Sequence, residues 1–62
     1  ADDFKSLHLR ASLLSKLGKN QEANSVYEDL LKRHPQAADI KADYVASLLD
    51  QQSYGRALYV LQ

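Results

Sequence analysis

Apolar residues recur along this chain at intervals of three or four, and the recurrence is interrupted at Gly18 and again at Pro35. That spacing admits amphipathic helices and excludes the strict alternation of a half-buried strand. Phe4, Leu7, Ala11, Leu14 and Leu17 draw one stripe, which predicts a first helix over roughly residues 3 to 17. Asp2 and Asp3 precede it, as an N-cap and as acids suited to the positive end of the helix dipole. Gly18 supplies the left-handed residue that ends a helix, and Lys16 and Lys19 suit the negative pole there.

Asn20 is the expected N-cap of a second helix whose inward stripe is Ala23, Val26, Tyr27, Leu30 and Leu31. It runs to about Arg33, because Pro35 pushes His34 out of the helical region. A third stripe, Ile40, Tyr44, Val45 and Leu48, starts from Ala37 or Ala38. Gln51, Gln52 and Ser53 form the next turn, and Ser53 is expected to cap a fourth helix carrying Ala57, Leu58, Val60 and Leu61. Gly55 lies in the first turn of that helix, at a cost of about 1 kcal/mol relative to alanine. The connections are short enough to force antiparallel helical hairpins, so the expected class is all-α.

A single unit covering residues 1–62 is the expected domain organisation, since a chain of this length has room for only one small core. There is no cysteine to staple that core or to supply a thiol or zinc ligand. Eight basic residues balance eight acidic ones, which removes general electrostatic attraction as a route to nucleic acid or an anionic membrane. No apolar run is long enough for direct membrane insertion. The chain lacks an initiating Met and stops at Leu61-Gln62 inside an apolar pattern, as expected of an excised fragment.

Ala23 and Ala57 lie 34 residues apart, as do Leu14 and Leu48, and Val26 and Val60. That interval is the length of one two-helix unit in a solenoid. With Leu7, Ala11 and Leu14 in the first helix, Gly18 at the turn, Ala23 and Tyr27 in the second and Pro35 at the exit, the chain resembles the tetratricopeptide repeat (TPR) family. The resemblance fits one repeat to about residues 4–37 and a truncated second to about residues 38–62. It implies antiparallel hairpins stacked in a right-handed superhelix with a concave groove. Arg10, Lys41 and Val45 depart from the family's usual apolar or small residues, so a wider crossing is expected in the second hairpin. In physical terms, Ala11 and Ala23 are small enough to let two helices cross closely, with Leu7, Leu14 and Tyr27 filling the flanks.

The resemblance also implies a function, namely a protein–protein interaction segment of a larger scaffold that holds a peptide or partner helix on its concave face. Its groove would be lined by Lys5, His8, Ser12, Ser15 and Lys16 from the first helix. Asp39, Ala42, Asp43, Ala46, Leu49 and Asp50 would face them from the third. Eight of these are the expected partner-binding residues: Lys5, His8, Ser12, Lys16, Asp39, Asp43, Ala46 and Asp50. Some family members clamp a peptide's terminal carboxylate with Lys and Asn; here His8, Ser12 and Asp43 stand in the matching places, and Asp43 repels such a ligand. The alternative is a purely structural spacer or cap in a larger assembly, or in a secretion or envelope protein, with nothing in the groove.

No catalytic, cofactor-binding or metal-binding residue is expected. His8 and His34 lie apart, without the ligand spacing of a metal site, and read as surface or helix-end histidines. The serines lack a nucleophile elbow, and the two glycines make no phosphate-cradling loop. Tyr44, Tyr54 and Tyr59, with Lys41 and Arg56, have the composition of a base-stacking surface, but tyrosines at helical spacing read as packing residues. The expected partner is a protein or peptide, with no nucleic acid. Self-association is expected through the apolar end of the chain, Leu58 and Leu61 among its residues.

Overall fold

The computed structural model describes residues 3 to 62, so the reading of Asp2 lies outside the described residues. Four helices follow one another: α1 (Phe4–Lys16), α2 (Asn20–Arg33), α3 (Ala38–Asp50) and α4 (Tyr54–Leu61). There is no strand among the described residues. Asp3 caps α1, its carboxylate accepting the Ser6 N–H at 2.7 Å. His34 leaves the helical region after α2, at φ −133° and ψ 71°, as a residue before proline must.

The two helices of each hairpin are joined by the same kind of turn. Gly18 takes φ +82°, the Lys19 N–H reaches the Leu14 carbonyl at 2.9 Å and the Gly18 N–H reaches that of Ser15 at 3.1 Å. This pair of bonds is a Schellman motif, which satisfies carbonyls that the helix end leaves free. At the next turn Gln52 takes φ 62°, Ser53 donates to Leu48 at 2.8 Å and Gln52 donates to Leu49 at 3.0 Å. Helix starts, helix ends and turn bonds of the second hairpin therefore fall 34 residues after those of the first, as far as the shorter α4 extends.

Two expectations at these turns are corrected. Lys19, not Asn20, is the N-cap residue of α2. The Lys19 N–H is held by Leu14 while its carbonyl already accepts from Ala23, so the helix begins one residue earlier than the side-chain pattern suggests. Ser53 holds the corresponding position before α4, but its side chain makes no capping bond. Leu17, assigned to the inward stripe, is exposed: it is the C-cap residue of α1, where the chain has begun to turn away.

The core is one cluster of Ala11, Ala23, Tyr27, Leu30, Ile40, Tyr44, Leu48 and Ala57. Ala11 and Ala23 are both wholly buried in it. Phe4, Leu7, Leu14, Val26, Leu31, Val45 and Val60 pack against it at partial exposure. Helix α3 lies against both helices of the first hairpin, whereas α4 sets its backbone against α3 alone. The described residues form a flat slab of 33 × 26 × 14 Å.

Candidate functional site

Where α3 meets the first hairpin, the contact is stitched by polar side chains. The Ser15 and Ser47 hydroxyls bond at 2.8 Å, and Ser47 is the buried polar residue of the molecule's interior among those described. Asn24 and Gln51 exchange two amide hydrogen bonds, at 3.2 and 3.0 Å, and Gln51 also donates to Ser47. Tyr27 and Tyr44 stack at 5.3 Å between ring centres within the apolar cluster that both hairpins share. Burial pushes both phenols above their usual range; Asp43 adds to this for Tyr27, and the hydrogen bond to Glu28 does so for Tyr44.

On the α1/α3 side of the seam, Lys5, His8, Leu9, Ser12 and Asp43 line a shallow concavity of about 270 Å³. His8 Nε2 and an Asp43 carboxylate oxygen are paired across it. Four of the eight expected partner-binding residues are thus brought together: Lys5, His8, Ser12 and Asp43. Lys16, Asp39, Ala46 and Asp50 are exposed on the same two helices but do not line this hollow. The expectation of one basic wall facing one acidic wall is altered at its centre, because His8 and Asp43 engage each other. His8 is therefore more than a simple surface histidine.

His34 is the exposed helix-end residue expected, with its ring edge-on to Phe4 at 4.7 Å. No grouping that could hold a metal ion occurs among the described residues. The tyrosines divide. Tyr44 is packed, as expected, but Tyr54 and Tyr59 are exposed, contrary to the packing assignment, on an α4 that sets its backbone against α3 alone.

A second, larger concavity of about 910 Å³ was not foreseen from the sequence. Leu31, Pro35, Lys41 and Val60 form part of its lining, with Glu28, Tyr44 and Arg56 at one side. There Glu28 accepts from the Tyr44 hydroxyl at 2.7 Å and from Arg56 at 2.6 Å, tying α2, α3 and α4 together. Glu28 and Arg56 are polar residues outside the apolar stripes, so periodicity carried no signal for this junction.

The chain matches no family model, no curated protein and no solved structure.

Proposed function

We propose that this chain is a TPR-like scaffold segment that docks a peptide or partner helix on the face shared by α1 and α3. The observation that carries this reading is the recurrence, after 34 residues, of helix starts and of the Schellman turn. Hairpins repeated in that way stack, and stacking places successive first helices side by side as a preformed surface. Lys5, His8, Ser12 and Lys16 would contribute one edge of that surface; Asp39, Asp43, Ala46 and Asp50 would contribute the other. Small Ala46 between carboxylates leaves room for an apolar side chain of the ligand, flanked by its basic residues. A mixed-charge helix or extended segment fits such a surface with little rearrangement.

The rival reading, a structural spacer with an empty groove, is favoured by one specific feature: His8 and Asp43 already satisfy each other. Selection of a displayed peptide library on the chain separates the two readings. Peptides enriched on the native chain are expected to lose at least tenfold in affinity on an Asp43→Lys, Asp50→Lys double variant of unchanged helicity. Peptides that bind both proteins equally, or an absence of enrichment, would assign the groove to the spacer role.

A further inference from the structure

Among the described residues, six of the eight exposed large apolar ones, Leu9, Leu13, Leu17, Leu49, Leu58 and Leu61, occupy two faces related by the same 34-residue shift that relates the hairpins. Each is between 48% and 72% exposed. Shifting the internal seam by one repeat shows what they are for. The residue contributed by the first hairpin moves forward by 34 positions to the outer face of the second. Its partner on α3 moves back by 34 to the outer face of α1. The bonded pair Ser15–Ser47 becomes Leu49–Leu13, and the amide pair Asn24–Gln51 becomes Leu58–Leu17. The pair His8–Asp43 becomes Ala42–Leu9, and the stacked pair Tyr27–Tyr44 becomes Leu61 against the aliphatic stem of Arg10.

Three of the five polar pairs of the internal seam are thus replaced at both of their ends at once by apolar pairs, while the two made by Glu28 map to polar residues, Gln62 with Arg10 and with Glu22, at the edge of the joint. A foreign partner for one face gives no reason for the opposite face to carry the matching residue at each position; a second copy of the same chain does. We propose that copies of this chain associate head to tail, the α1 face of one copy seating on the α3/α4 face of the next in the register of its own internal hairpin joint. The contact is heterologous, so it propagates beyond a dimer unless the rotation closes a ring. The leucine pairs supply the attraction, because their apolar surface leaves water. The internal seam, already hydrogen-bonded, does not compete for them. Leu9 stands at the rim shared with the α1/α3 hollow, whereas Leu13, Leu17, Leu49 and Leu58 line none of it.

Sedimentation of the 62-residue chain over a concentration series is expected to show mass growing past the dimer. Two variants then test the polarity of the contact: Leu13→Asp with Leu17→Asp on one face, and Leu49→Asp with Leu58→Asp on the other. Each alone is expected to be monomeric, at least tenfold weaker in association, and an equimolar mixture is expected to give a one-to-one dimer that grows no further. A cross-link that does not depend on these charges provides a second measurement in the otherwise cysteine-free chain. Under mild oxidation, Leu13→Cys and Leu49→Cys proteins are expected to cross-link when mixed and not when separate. A native chain that stays monomeric throughout the series would overturn the proposal and assign the two faces to other hairpins or to a different partner. Dimers formed by either aspartate variant alone, or cross-links within a single cysteine variant, would overturn it in favour of a symmetric contact.

Discussion

Gln52 performs at the second turn what Gly18 performs at the first, and it does so with a side chain. Both residues stand in the left-handed region, at φ 62° and φ +82°. A residue with a Cβ pays roughly 1–2 kcal/mol for that conformation, whereas glycine adopts it freely. Gln52→Gly is therefore expected to raise stability by about 1 kcal/mol in a urea melt, since the turn bonds involve the backbone alone. Gly18→Ala is expected to lower it by a similar amount, and for conformation rather than space, because a Cβ at Gly18 would meet no atom within 4 Å. Gly18 was legible as a helix stop because glycine announces that geometry. Gln52 was legible only as part of a polar turn, since nothing in a glutamine signals a positive φ. The two core alanines behave differently from the turn residues. Ala11 and Ala23 are wholly buried in one cluster, so leucine at either site is expected to overpack it and cost about 1–3 kcal/mol by the same melt.

The helices themselves are legible in the sequence almost to the residue, because each stripe is apolar at helical spacing and the first two are cut by residues, Gly18 and Pro35, with a backbone reason to stop them. The polar contacts between the hairpins are not legible, because Ser15, Asn24, Ser47 and Gln51 look like ordinary solvated positions until a second hairpin is laid over them. The same holds for His8 and Asp43, which were assigned to opposite walls of an open groove and instead close on one another. Tyr27 and Tyr44 at the centre of this seam give it a pH signature. Burial raises both phenols, so the folded state holds its protons where the unfolded chain has begun to release them. The stability that these groups contribute is fully present below the ordinary phenol range. It is lost as pH rises from about 10 through the raised folded values. Melting temperature is accordingly expected to fall steeply above pH 10 in the native chain and less steeply in Tyr27→Phe, the phenylalanine having no proton to lose.

Across the molecule, stability is expected to be graded rather than uniform, because the four helices are unequally surrounded. Helices α2 and α3 lie in the middle, each packed against both the other and its own hairpin partner. Helix α4 has eight residues, sets its backbone against α3 alone and has Ala57 as its single buried residue. It also carries Gly55 in its first turn and no side-chain cap at Ser53. Its main tie to the rest beyond α3 is the exposed Arg56–Glu28 pair, and exposed ion pairs contribute little. Opening α4 therefore forfeits little more than the burial of Ala57 and the partial burial of Val60, whereas opening α2 dismantles the core around Tyr27 and Leu30. Native-state hydrogen exchange is expected to show amides of α4 exchanging through local opening well below the global unfolding energy, and those of α2 and α3 only through global unfolding. Head-to-tail association would change this gradient in a specific way. The α3/α4 face of one copy would be covered by α1 of the next, so local opening of α4 is expected to be suppressed as protein concentration rises, and its protection to approach the global value reported by α2, which itself rises by mass action. Equal protection of all four helices at low concentration would mean that the two hairpins unfold as one, with α4 held in the same cooperative unit as the shared apolar cluster.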